Sequence, residues 1–324
     1  MSQKQTILKL DQLNKHYPVR GGLLKRVKNH VYAVNDISID VDEGDSVGIV
    51  GESGCGKSTL GRTILRLEEP TSGEVWFKGE NITHLNEKKL KQFKNDMQMI
   101  FQDPFASLDP RQRVGDTLEE PFVIHTNLTK KERKEKAIDL LNQVGLSETH
   151  YYKYPHQFSG GQRQRIGIAR AIALNPEMIV CDEAVSALDV SVQAQVIQLL
   201  KDLQEEYDLT YLFISHDLGV VRHFCNKVLV MYLGHMVEWA PADELFDNPI
   251  HPYTEALLSA IPRPIPGRER NNIQLEGDLP SPTEPPTGCP FHTRCPLATN
   301  LCKEEKPEWK EISENHFVAC HVKA

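Results

Sequence analysis

The chain opens on two apolar-rich segments with the character of strands, Ile7 to Tyr17 and Val31 to Val41. In the second, Val31, Ala33, Asn35, Ile37, Ile39 and Val41 recur every two residues and fall on one, mostly apolar, face. Between the two lies a basic insertion, Arg20 to His30, which reads as a solvated loop. Ser46 to Val50 is a short buried strand that runs into a glycine-rich turn and then a helix from about Lys57 to Leu67. Further strands are expected at Glu74–Phe77 and Met97–Phe101, and again at Met178–Cys181, Thr210–Ser215 and Lys227–Met231. Helical periodicity is clearest where Val192, Val196, Leu199, Leu200 and Leu203 repeat along one face.

Strands that alternate with helices imply a mostly parallel α/β sheet. The stretch from Asp116 to Leu174 is helical in pattern, with a capping box at Thr129–Glu132. It interrupts the alternation, so residues of about 101–176 are expected to form an inserted helical subdomain. After Ile261 the character changes: Pro262 to Gly288 is rich in proline and polar residues and suits an extended linker.

Composition narrows the class. Hydrophobic residues make up 40% and charged residues 25% of 324, normal for a globular protein with a large core. The net charge of −8 gives no reason to expect nucleic acid as a partner. No stretch approaches the roughly 20 apolar residues of a membrane-spanning helix, and the start is punctuated by charges, so a cytoplasmic chain is expected.

Candidate chemistry begins at Gly51-Glu-Ser-Gly-Cys-Gly-Lys-Ser58, which fits G-x-x-x-x-G-K-[ST]. Its glycines let backbone N–H groups surround phosphate oxygens, and the following helix aims its positive end at the same anion. Gly51, Ser53, Gly54, Cys55, Gly56, Lys57, Ser58 and Thr59 are the expected nucleotide contacts, with Lys57 on the β- and γ-phosphates and Ser58 on Mg²⁺. Met178 to Asp182 supplies the second half of the site, delivering the carboxylate of Asp182 to the metal side of the phosphates, and Glu183 beside it suits the orientation or deprotonation of an attacking water. Ser159-Gly-Gly-Gln162 before an apolar helix is a second anion site. It makes sense if it closes over ATP held by another subunit. Cys55 reads first as a small residue at a variable loop position. Its place at a helix N-terminus also predicts a lowered thiol pKa, hence alkylation that blocks hydrolysis and protection by ATP.

Taken together, the phosphate loop, Gln102 in Phe-Gln-Asp-Pro104, Ser159-Gly-Gly-Gln162, Asp182-Glu183, Ser186-Ala-Leu-Asp189 and Ser215-His216-Asp217 occur in the order found in ATP-binding subunits of ABC transporters, which the chain resembles from about Ile7 to Val237. The resemblance implies a P-loop NTPase (RecA-like) core with an antiparallel β subdomain and an inserted α-helical subdomain. It implies that Gln102 senses Mg²⁺ and the γ-phosphate, and that Ser159, Gly160, Gly161 and Gln162 contact ATP on the opposite subunit. Asp189 would couple the two sites, His216 would touch the γ-phosphate, and Tyr17, or alternatively Tyr32, would stack on adenine.

Asn248-Pro-Ile-His-Pro-Tyr253 onward, Glu276-Gly-Asp-Leu-Pro-Ser-Pro282 and Gly288-Cys-Pro-Phe-His-Thr-Arg-Cys-Pro296 are similar to segments of oligopeptide and dipeptide importers, closest to their second ATPase subunit. This divides the chain into a nucleotide-binding domain, 1–261, and a linker with a four-cysteine extension, 262–324. The resemblance implies an ATPase that energises peptide import at the cytoplasmic face of the membrane. Its partners would be a related ATPase subunit (or a second copy), two membrane permeases and an external binding protein. A nickel or other small-solute importer is the alternative. A soluble ABC ATPase fits less well, because no paired ATPase domain or long coiled coil is present. Intact Glu183 and His216 argue against a non-hydrolysing regulatory subunit. Of seven cysteines, Cys289, Cys295, Cys302 and Cys320 cluster as C-x5-C-x6-C-x17-C. Four thiolates suit a tetrahedral Zn²⁺ or a [4Fe–4S] cluster, and the resemblance favours the cluster. His292, His316 and His321 keep zinc open.

Overall fold

A computed structural model describes residues 5–21, 26–103, 107–261 and 273–324. They form two compact units, Met1–His84 with Ser215–Ala324, and Leu85–Ile214. Parts of three sequence expectations lie outside the described residues: the tip of the basic insertion (22–25), Pro104 beside Gln102, and the first part of the linker (262–272).

The first unit begins with β1 (Thr6–Gly21), β2 (Arg26–Asp42), β3 (Ser46–Val50), α1 (Lys57–Ile64), β4 (Ser72–Phe77) and β5 (Glu80–Asn81). An antiparallel sheet runs β2-β1-β4-β5. The basic insertion is not a loop over its described part. Pro18 pairs with His30 and Gly21 with Arg26, so β1 and β2 simply continue past the core as an exposed hairpin. Charged side chains suit a ribbon wet on both faces, and the apolar alternation that marks a strand is therefore missing. The expected one-face pattern of β2 also slips. At Asp36, where φ is 52°, the ladder shifts register, and Val34 rather than Ala33 is fully buried.

The second unit contains α2 (Glu87–Asp96), β6 (Met97–Ile100), α3 (Val114–His125), α4 (Lys130–Gln143), α5 (Gly160–Ile172), β7 (Met178–Asp182), α6 (Val190–Tyr207) and β8 (Thr210–Ile214). Its strands are parallel in the order β8-β7-β6. Every residue of β7 and β8 is buried, as expected of parallel strands covered on both faces. The Thr129 box forms as read: the Glu132 amide donates to the Thr129 hydroxyl, and the Glu132 carboxylate accepts from the Thr129 amide. On α6 the repeat Val196, Leu199, Leu200 and Leu203 is buried. The sequence pattern does not anticipate α2, because only Leu90 and Phe93 of its ten residues are buried.

The chain then returns to the first unit with α7 (Leu218–Phe224), β9 (Lys227–Tyr232), β10 (His235–Pro241), α8 (Ala242–Asp247), α9 (Pro252–Ser259), α10 (Asn300–Glu304), β11 (Trp309–Ser313) and β12 (His316–Ala319). β9 lies parallel to β3, and β10, β12 and β11 follow it outward in antiparallel order. Leu233 and Gly234, both at positive φ, make the tight β9–β10 turn.

The C-terminal segment is thus built into the unit's sheet. Phe291 is fully buried and packs against Tyr232, Tyr253 and His251, with ring centroids 5.2, 5.3 and 5.6 Å away. Burying a ring of this size stabilises by roughly 2–3 kcal/mol. The strongest polar tie is Glu238, fully buried on β10. It accepts from the amides of Ile250 (2.8 Å) and His251 (3.0 Å), and its Oε1 lies 2.8 Å from His316 Nε2 on β12.

Removing that carboxylate strands two amides and an imidazole in a dry interior. Glu238→Ala should destabilise the chain by about 3 kcal/mol, which lowers the urea midpoint, and should expose residues beyond 300 to limited proteolysis. An unchanged midpoint would show that β12 does not depend on this pair.

Candidate functional site

In the first unit, the turn from Gly51 to Gly56 joins the buried strand β3 to α1. The turn allows no side chain at two points. A Cβ on Gly51 (φ 149°) would sit 2.2 Å from the Met231 carbonyl oxygen, and one on Gly56 (φ 102°) 1.9 Å from that of Ala33. The Gly234 amide donates to the Cys55 carbonyl at 2.9 Å and pins the far side of the turn. Lys57 is almost wholly buried and folds back, its Nζ 2.8 Å from the Gly51 carbonyl and 2.9 Å from that of Glu52. Ser58 and Thr59 occupy the first turn of α1, and no acidic residue opposes an anion there. Ser53 and Gly54 form the exposed rim of the turn.

Cys55 departs from the sequence expectation. It is 1% exposed, and burial pushes its thiol pKa up, although Lys57 beside it pulls the other way. The helix N-terminus does not make it a reactive thiolate, because desolvation of the charged form outweighs the nearby positive charge.

His216 follows Ser215, whose amide donates to the Ile49 carbonyl near the end of β3 (3.2 Å), and precedes Asp217, which caps α7 through bonds to Gly219 and Val220. His216 therefore follows a residue tied to the strand that feeds the Gly51–Gly56 turn. Tyr17 is half-buried, and burial together with its bond to Glu68 raises its pKa. Lys15 Nζ lies 4.8 Å above its ring. The Tyr32 ring packs on His16 at 4.7 Å, and its amide donates to Pro282.

In the second unit, β7 carries Asp182, 2% exposed, to its end. Glu183 follows at φ 48°, a left-handed conformation costly for a residue with a side chain. Two bonds hold it there: its amide donates to Ile214 (3.0 Å), and its carbonyl accepts from Ser186. Gln102 Nε2 donates to Glu183 Oε2 at 2.7 Å. The sequence places these two residues 81 positions apart, and the fold joins them directly. Ser159 caps α5 in a reciprocal box with Gln162, so its hydroxyl, Gly160 and Gly161 sit at the open end of a long helix. A Cβ on Gly161 would meet Val192 at 2.3 Å. Asp189 caps α6 without a side-chain bond and is exposed.

The four terminal cysteines share one neighbourhood. The Cys289 amide donates to the Cys302 carbonyl at 2.8 Å. Burial, with Cys302, Cys295 and Cys320 nearby, pushes the Cys289 thiol up to about 11. Burial also raises the Cys295 thiol, with Cys320 and Cys302 adding to it. Among the described residues, no three His, Cys, Asp or Glu side chains are arranged to hold a metal ion. The three nearby histidines have other partners, His292 the Cys289 carbonyl, His316 Glu238 and His321 the Glu305 carbonyl.

Glu52 is the contact that sequence reasoning missed. It stands at a free position of the loop pattern, yet its amide donates to Tyr253 Oη (2.8 Å) and its Oε2 accepts from Arg294 Nη1 (2.8 Å). Those partners lie 201 and 242 residues downstream, beyond the reach of any local signal.

Among the described residues, no helix is long and apolar enough to cross a membrane. A family model for the ABC transporter matches residues 34–186, and one for the oligopeptide/dipeptide transporter C-terminal region matches residues 237–302. The chain is 56% identical to the oligopeptide transport ATP-binding protein AppF of Bacillus subtilis, covering 99% of this chain and 98% of that one. It is 48% identical to the dipeptide transport ATP-binding protein DppF of Escherichia coli, covering 98% and 94%. Among solved structures, the dimeric structure of the bacterial ABC transporter cassette MJ0796 aligns with a TM-score of 0.65 and 31% identity, over 73% of this chain and 99% of that one. The same cassette bound to ADP and Pi in a post-hydrolysis state aligns equally well, so the fold is that of an ABC-type P-loop ATPase.

The left-handed backbone at Glu183 generates a test. Glu183→Gly should raise stability by about 1 kcal/mol, read as a later urea midpoint, while ATP hydrolysis is lost. A destabilised Glu183→Gly would mean that the carboxylate itself, through Gln102, holds the strand end together.

Proposed function

Because the chain belongs to the ABC transporter family, as an ATP-hydrolysing subunit of the dipeptide/oligopeptide importer type, we propose that its sites divide the work of one composite ATPase. Lys57 leaves the loop carbonyls to bind the β- and γ-phosphates, and the amides of the Gly51–Gly56 turn with Thr59 complete the cradle. Tyr17 stacks on adenine. Ser58, Asp182 and Gln102 supply the oxygen donors that suit Mg²⁺. When bound, the ion neutralises charge on the β- and γ-phosphates.

Glu183 takes a proton from the attacking water as the water oxygen bonds to the γ-phosphorus and the bond to ADP breaks. His216 steadies the γ-phosphate. Gln102 Nε2 donates to the Glu183 carboxylate, which ties the Mg²⁺ side of the site to the acid that activates water. This makes Gln102 the sensor of site occupancy. Ser159, Gly160, Gly161 and Gln162 close over ATP on the opposite subunit, and Asp189 joins the two sites. The opposite subunit is a related ATPase, with a second copy as the alternative. The dimeric cassette structure supports such pairing. In this reading residues 1–261 are the motor, with 101–176 the helical subdomain that faces the two permeases. Residues 262–324 are the linker and extension, and an external binding protein delivers the solute. The chain would thus lie peripherally at the cytoplasmic face of the membrane.

The observation that carries this reading furthest is the presence in one chain of the phosphate loop and the oligopeptide-type C-terminal region. Its test is uptake of labelled di- and oligopeptides, with nickel in parallel, in cells carrying wild-type protein or Glu183→Gln. Loss of peptide uptake of at least about tenfold in the variant is expected. Retained peptide uptake with lost nickel uptake would move the substrate to a metal chelate.

The C-x5-C-x6-C-x17-C spacing supports a structural [4Fe–4S] cluster at Cys289, Cys295, Cys302 and Cys320, with Zn²⁺ the alternative; because the described side chains are not arranged to hold a metal, binding would have to draw the four sulfurs together. Anaerobically purified chain should carry iron and acid-labile sulfide in about equal amounts, both lost in Cys302→Ser. Zinc without sulfide would establish the alternative.

A further inference from the structure

The loop that cradles phosphate contains an acid. A carboxylate beside the several negative charges of ATP is unfavourable unless something cancels it. Every polar group of Glu52 is held: the carbonyl by Lys57, the amide by Tyr253, the carboxylate by Arg294. Arg294 is built for this contact. Its side chain is only 10% exposed, and although burial works against its charge, Glu52 and Tyr232 beside it raise its pKa, so it stays a cation. Tyr253 is fully buried in the aromatic cluster around Phe291, and the Arg294 amide donates to the Phe291 carbonyl at 3.0 Å. They come from the two segments, 248–258 and 288–296, that set the C-terminal region apart from a bare cassette.

We propose that Arg294 and Tyr253 make the C-terminal region a working part of the nucleotide site in the same chain, Tyr253 fixing the Glu52 amide and Arg294 cancelling the Glu52 carboxylate so that the loop accepts ATP. Both are positioning residues, since they act through Glu52. The pair does what a surface ion pair does not: Arg294 is held by packing, and its removal leaves an acid in the phosphate loop without a counter-charge. The inference rests on the assignment of ATP to this loop.

Equilibrium binding of labelled ATP to the full chain tests it, with thermal unfolding in parallel. Arg294→Ala should weaken ATP binding on the order of tenfold, and Arg294→Lys should recover most of the loss. The deciding variant is Arg294→Ala with Glu52→Gln. Removing the acid should return affinity to within about threefold of wild type, which a merely structural role for Arg294 would not produce. If Arg294→Ala does not fold, Arg294→Gln keeps the bulk and allows the same comparison with and without Glu52→Gln. Binding as weak in the double variant as in the single one, or no loss in either single variant, overturns the inference. Lys57→Ala separates this from failure of the premise: wild-type affinity in that variant would remove ATP from the loop altogether.

Discussion

The first unit is organised around a turn that must point its amides inward with almost no room for side chains. Gly51 and Gly56 each press against a neighbouring carbonyl, and Lys57 folds back onto the carbonyls of Gly51 and Glu52. β3 beneath it is wholly buried, β9 lies parallel beside it, and the Gly234 amide in the β9–β10 turn reaches back to Cys55. Ser215, beside His216, bonds to the same strand. A loop so constrained cannot be moved by one contact alone, which is why the elements around it come from both ends of the chain.

The second unit solves a different problem, how to hold an acid ready without letting it relax. Glu183 sits in a strained backbone state fixed by Ile214 and Ser186, and Gln102 donates to its carboxylate. Strain of this kind persists only where surrounding bonds over-determine it. Glu183 follows directly on Asp182, which is 2% exposed.

Much of this was legible in the sequence where the cause is local. The turn from Gly51 into α1, the strand that ends at Asp182, the helix start at Ser159 and the Thr129 box are set by residues a few positions apart, and the structure forms each of them. The misses have physical reasons. The basic hairpin beyond Pro18 is exposed on both faces and carries no apolar alternation. α2 carries six charged residues among its ten and buries only two. The lowered pKa expected of Cys55 failed because its burial depends on the whole unit. The partners of Glu52, and the Glu238–His316 tie 78 residues apart, are products of the fold that no window of sequence contains.

The central claim is that ATP is held between the phosphate loop of one subunit and Ser159-Gly-Gly-Gln162 of another. Light scattering on the Glu183→Gln chain mixed with its related ATPase subunit, with and without ATP and Mg²⁺, tests it most directly. An ATP-dependent doubling of molar mass that Ser159→Arg abolishes while each chain still binds ATP is expected. Full ATP occupancy with no change in mass would contradict it.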